Sequence, residues 1–170
     1  MKEVILIRFG EIFLKGRNYS YFENTLFKNV ERRLKKFNLK LERISGRFLV
    51  SDFEAEDKDD IIEAIQTVFG LVSLSVAYEV ETSVDTIKSA CEKIKLQDKT
   101  FKVEVKRADK TFPIKSFEFA GELGGVILKN NPNAKVDVHS PQEIVYVDIR
   151  QNSKTYIFYD KVICLGGMPV

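Results

Sequence analysis

The sequence predicts an α+β protein in two units, and three observations carry that expectation. Short apolar runs of strand length alternate with stretches whose apolar residues recur every third or fourth position. Over the first eighty residues these segments fall in the order β-α-β-β-α-β, the split βαβ or ferredoxin-like arrangement. Near Thr82 a second series of helix and strand patterns begins.

Residues 3–9 carry little alternation, which predicts a central strand covered on both faces. After a loop from Gly10 to Asn18, residues 19–37 read as a helix. Its apolar stripe is Phe22, Leu26, Val30 and Leu34, with Lys28, Arg32, Lys35 and Lys36 off the stripe and facing solvent. Residues 39–44 and 47–53 predict two strands joined by a tight turn at Ser45-Gly46. Asp57 to Asp60 open a second helix, where acids suit the positive end of the helix dipole. Ile61, Ile62, Ile65, Val68 and Phe69 supply its buried side, Gly70 stops it, and residues 71–80 form the next strand.

In the second unit Ser83 is placed to cap a helix running to about Lys95, with Val84, Ile87, Cys91 and Ile94 on one face. Residues 100–107 alternate as a strand, with Phe101, Val103 and Val105 opposite Lys102, Glu104 and Lys106. Ala108 to Lys115 make a basic loop, and Ser116 caps a helix to about Lys129. Gly121, Gly124 and Gly125 lie inside that helix. Each glycine costs about 1 kcal/mol relative to alanine, so a close backbone approach by a strand, a partner or a nucleic acid is expected there. Residues 134–138, 144–150 and 155–162 complete the strands, the last two as a hairpin across Asn152-Ser153.

Composition narrows the function. With 44% hydrophobic residues and 13 Phe, the 170-residue chain supports two small cores. No segment approaches the roughly 18 uncharged apolar residues of a membrane helix, and the N-terminal run does not resemble a secretory signal. Two cysteines, Cys91 and Cys164, are too few for a disulfide framework, which predicts a reducing cytoplasm with both thiols in cores. The net charge of +2 conceals separated blocks. Residues 1–50 hold 12 basic residues against 5 acids, residues 51–81 hold 1 against 9, and residues 82–121 hold 9 against 6. Such blocks suggest a surface facing a polyanion, although solvated faces explain them equally.

The sequence has no P-loop, no dinucleotide fingerprint and no spaced Cys/His metal set. The single histidine, His139, sits beside Ser140-Pro141 and reads as a turn residue. Two basic segments stand out. Lys15, Gly16, Arg17 and Asn18 precede the first helix, where free backbone N–H groups suit a phosphate. Lys102, Lys106, Arg107, Lys110 and Lys115 surround Phe112-Pro113, a set suited to phosphates with Phe112 as a stacking ring. The alternatives are an ordinary basic loop for the first, and Phe112 packed into the core for the second.

The stretch Arg8-Phe9-Gly10-Glu11-Ile12-Phe13-Leu14-Lys15-Gly16-Arg17-Asn18, with Phe22-Glu23 and Asn29, resembles the opening of the tRNA 4-thiouridine synthetases. These tRNA sulfurtransferases are also tied to thiamine biosynthesis. Phe101 to Pro113 and Val136-Asp137-Val138-His139-Ser140-Pro141 are similar to that family's THUMP domain. Gly166-Gly167-Met168-Pro169-Val170 resembles the junction to its ATP-binding domain, with Met168 where leucine is usual.

The resemblance implies a ferredoxin-like domain over residues 1–80, an α/β THUMP domain over 81–165, and the start of a linker at 166–170. It implies a module that holds the acceptor stem and 3′ CCA end of tRNA. Lys106, Arg107, Lys110, Phe112 and Lys115 are its main contacts, and Lys15, Arg17 and Asn18 its second set. It places no catalytic residue, metal or cofactor in this chain. ATP, uridine thiolation and the pyrophosphate loop belong to a catalytic domain absent here, with a cysteine desulfurase as sulfur donor and a homodimer as further expectations. Two other readings stay open: the RNA-binding arm of another THUMP-bearing RNA-modifying enzyme, and a ferredoxin-like regulatory module for a small ligand or protein.

Overall fold

The structure is a computed structural model that describes residues 2–10, 19–44, 46–151, 153–159 and 162–164. The chain divides into two compact units. One comprises residues 4–76 with residues 162–164 from the end of the chain, and the other residues 77–159 with Lys2 and Glu3.

The first unit contains β1 (Lys2–Phe9) from Val4 onward, α1 (Tyr19–Arg33), β2 (Lys40–Ile44), β3 (Arg47–Ser51), α2 (Lys58–Gln66) and the first half of β4 (Leu71–Glu81). Its strands lie in the order β2-β3-β1-β4, with β3 antiparallel to both β1 and β2. This is the split βαβ order expected from the sequence, and β1 is central, with Val4 to Ile7 all buried. Ile5, Ile7, Phe48 and Val50 meet Leu26 and Val30 of α1 and Ile61 and Ile65 of α2 in one core.

Three details differ from expectation. Helix α1 stops at Arg33, because the bonding tightens from Leu34 N–H on Val30 O to Phe37 N–H on Leu34 O. Phe22 is 38% exposed, since a repeat of four residues drifts about 40° per step around a 3.6-residue helix and carries Phe22 to the edge of the stripe. Phe69 is 61% exposed because it follows the end of α2, where helical periodicity no longer aims its side chain. Gly70 then turns the chain at φ +99°.

The second unit contains the other half of β4, α3 (Val84–Cys91), β5 (Thr100–Arg107), α4 (Ser116–Asn130), β6 (Lys135–Val136), β7 (Glu143–Ile149) and β8 (Lys154–Phe158). Its strand order is β4-β8-β7-β5-β6. Strands β5, β6 and β7 are mutually parallel, while β8 runs antiparallel to β4 and β7. Ile87 and Cys91 of α3 and Phe119, Leu123 and Ile127 of α4 pack on Phe101, Val145 and Val147.

Ser83 caps α3 as expected, its Oγ accepting the N–H of Thr86 at 3.0 Å. The expected cap Ser116 is instead the first helical residue of α4, and Lys115, with extended backbone, is the N-cap. The strand expected over 155–162 is two: β8 ends at Phe158, and β9 (Val162–Ile163) pairs with Ser73 and Leu74 in the first half of β4.

Candidate nucleic-acid interface

Parallel pairing brings the expected contact residues to one end of the second unit's sheet. Strands β4, β5 and β7 run in the same direction, so their carboxyl ends lie together. Three hydrogen bonds tie this end: Ala108 N–H to Ile149 O at 2.9 Å, Gln151 Nε2 to Ala108 O at 3.3 Å, and Thr82 N–H to Ser153 O at 2.9 Å. Both α3 and α4 begin here. The carboxyl ends of parallel strands, followed by helix N-termini, are where α/β folds commonly receive ligands.

The loop from Ala108 to Lys115 crosses this end. Arg107, half-buried, donates through Nη1 to the carbonyl oxygens of Phe112 at 2.9 Å and Ile114 at 3.3 Å. Asp109 accepts the hydroxyl and the N–H of Thr111. Those bonds, the hydroxyl's first, hold the Asp109 carboxyl below its usual range. Lys106, Lys110 and Lys115 are exposed around the braced loop. Lys102, half-buried, lies further back on β5 and pairs with Glu104 at 2.9 Å.

Two expectations for this loop change. Phe112 is 5% exposed, and its ring lies 5.0 Å from that of Phe119 in the core. An aromatic ring on a loop between two apolar layers gains more by burial than by facing water, so its face is not open to a base. Arg107 spends one amino group on loop carbonyls and is a positioning residue as well as a cation. Lys15, Arg17 and Asn18 lie outside the described residues, as does the segment resembling the inter-domain junction.

The aromatic residue that does face solvent here is Phe117, 91% exposed at the second position of α4. The sequence held a signal for it. Phe119, Leu123 and Ile127 repeat every fourth residue as the buried stripe of α4, and Phe117 lies about 200° around the helix from Phe119. Of the close approaches expected at the α4 glycines, the one by a strand is not made among the described residues: beyond the helix's own nearby backbone, no described atom lies within 4 Å of where a Cβ would stand on Gly121, Gly124 or Gly125.

Elsewhere, Cys91 is fully buried, and burial pushes its thiol up to about 12. Cys164 is buried and its thiol is also raised by desolvation. His139 is exposed in a turn where Asp137 accepts the backbone N–H groups of Ser140 and His139, each at 3.0 Å. Among the described residues no group of three His, Cys, Asp or Glu is placed to hold a metal, and no helix is long and apolar enough to cross a membrane.

Comparisons with known proteins agree with this architecture. The ThiI ferredoxin-like domain matches residues 4–75, and the THUMP domain matches residues 81–160. A protein of Caldanaerobacter subterraneus subsp. tengcongensis named "Probable tRNA sulfurtransferase" is 42% identical over all of this chain and 44% of its own length. A protein of the same name from Malacoplasma penetrans is 36% identical, again over all of this chain and 44% of its own length. The chain thus spans less than half the length of these relatives.

Among solved structures, a 4-thiouridine synthetase in complex with RNA and bound ATP is 34% identical over the whole chain and 44% of its own, with a TM-score of 0.82. The PH1313 protein of Pyrococcus horikoshii Ot3 is 30% identical over 99% of this chain and 57% of its own, with a TM-score of 0.78. Sequence, strand order and these matches together establish that the chain is built of a ThiI ferredoxin-like domain followed by a THUMP domain.

Proposed function

We propose that this chain is the tRNA-binding module of a tRNA 4-thiouridine synthetase. It holds the acceptor stem and 3′ CCA end, and so sets the distance to a uridine thiolated by a further, ATP-binding domain. The observation that carries this reading is the group of exposed cations at this sheet end: Lys106 near the end of β5, and Lys110 and Lys115 on the loop that Arg107 braces. Cations held by a fixed loop neutralise phosphates without first paying to order the loop. Support also comes from the 34% identical synthetase solved with RNA. The sulfur donor, a cysteine desulfurase, and a homodimeric assembly belong to the same reading of the longer protein.

The test is a salt series of binding to a tRNA and to the same tRNA lacking its 3′ CCA. Salt-dependent binding that weakens without CCA supports the module as described. Equal, weak binding to both RNAs, with no salt dependence, rejects it.

A further inference from the structure

We propose that Phe117 is the stacking platform for an unpaired base at the 3′ end of the bound RNA. The inference rests on the tRNA-binding reading above and assigns the aromatic role to a residue that the sequence reading left out.

Phe117 is the most exposed of the large hydrophobic side chains among the described residues, at 91%. Its ring takes no part in the core that holds Phe112 and Phe119. It stands two residues after the exposed N-cap Lys115, on the helix that follows the braced loop. Along the same side of α4, Gly121 and Gly125 are both exposed, and beyond the helix's own nearby backbone no described atom lies within 4 Å of where their Cβ atoms would stand. At these two positions α4 therefore carries no side chain of its own that would stand against a flat base on the ring's side of the helix. A bare apolar ring attracts a π-face and offers nothing to a phosphate. The neighbouring exposed Glu118 and Glu122 also disfavour phosphate on this strip, which leaves the phosphates to Lys106, Lys110 and Lys115.

Bases inside a duplex are stacked on one another and cannot reach a protein ring, so the occupant is an unpaired nucleotide. Charge decides between an RNA end and a protein segment. The adjoining loop presents two exposed lysines, Lys110 and Lys115, with Lys106 exposed near the end of β5, and together they complement a polyanion.

The experiment compares the wild-type chain, Phe117→Ala and Phe117→Trp. Each is titrated with a tRNA carrying its unpaired 3′ end and with the same tRNA trimmed of it. Phe117→Ala is expected to weaken binding to the intact tRNA by roughly 5- to 150-fold, the range for loss of one stacked base. Binding to the trimmed tRNA should stay within about twofold, and Phe117→Trp should restore the intact tRNA. Equal loss on both RNAs, or no loss on the intact one, overturns the proposal. So does a change in self-association of the free chain without a change in RNA affinity, which would assign the ring to a protein contact. If the wild type binds neither RNA in a salt-dependent way, the tRNA-binding reading itself fails, a result distinct from failure of Phe117 alone.

Discussion

The Arg107 guanidinium donates to the carbonyl oxygen of Phe112 at 2.9 Å, while the Phe112 ring lies against Phe119 in the core. One residue holds the loop from the strand side and the other from the core side. The lysines between and beside them are left to solvent. This division sets the first expectations.

Phe112→Ala should destabilise the second unit by about 3–5 kcal/mol, the usual range for truncating a buried phenylalanine. Phe117→Ala, at a ring already in water, should change stability by no more than about 0.5 kcal/mol. Urea unfolding of the two variants checks this, and equal losses would contradict the assignment of one ring to the core and the other to the surface.

Lys106→Ala, Lys110→Ala and Lys115→Ala should each weaken tRNA binding and reduce the salt slope by about 1, without lowering the melting temperature. Arg107→Ala should differ. It leaves two loop carbonyls without their charged donor, so about 1–3 kcal/mol of stability should go with the affinity. Arg107→Lys should recover charge but not the planar fork, and therefore only part of the stability.

The glycines should respond in opposite directions. Gly70 sits at φ +99°, and a Cβ there would run into Leu26 Cδ2. Gly70→Ala should therefore cost about 1–2 kcal/mol from the left-handed backbone alone. Gly121 lies in a helix with open space around it, so Gly121→Ala should add about 0.5–1 kcal/mol of stability. If the nucleotide lies over this strip, the more stable Gly121→Ala protein should bind tRNA more weakly, a separation that equilibrium unfolding and titration together reveal.

Cys91 provides a test with pH. Burial raises its thiol from an ordinary value of 9.0 to about 12 in the folded chain, so the folded state holds the proton more tightly than the unfolded one. Its contribution to stability is complete below pH 9 and is lost as pH rises from about 9 towards 12. Melting temperatures between pH 8 and pH 11 should fall more steeply for the wild type than for Cys91→Ala. A thiol reagent at pH 8 should leave Cys91 unmodified until denaturant is added.

Much of this molecule was legible in its sequence because the relevant forces are local. The βαββαβ order follows from apolar periodicity, the cap at Ser83 from one side chain reaching Thr86 N–H, and the alternation of β5 from the pleat. The basic character of the loop around Lys110 was legible too. The fate of its aromatic neighbours was not settled by the sequence, which left Phe112 open between a stacking ring and a core residue and gave Phe117 no role. Phe112 is near the lysines in sequence, but the apolar layer beneath the loop claims it. Phe117 stands in solvent because the buried stripe of α4 runs through Phe119, Leu123 and Ile127.

The sequence by itself determined which segments form strands and helices, where charge accumulates, and the likeness of its motifs to a tRNA-modifying family. Only tertiary structure decided which residues share a surface. Parallel pairing of β5 with β7 sets Arg107 beside Ile149 and gathers both helix starts at one sheet end. Pairing of β9 with β4 returns the chain to the first unit. Those outcomes rest on hydrogen bonds between backbone groups far apart in the chain, and backbone amides carry no side-chain signature from which their partners can be read.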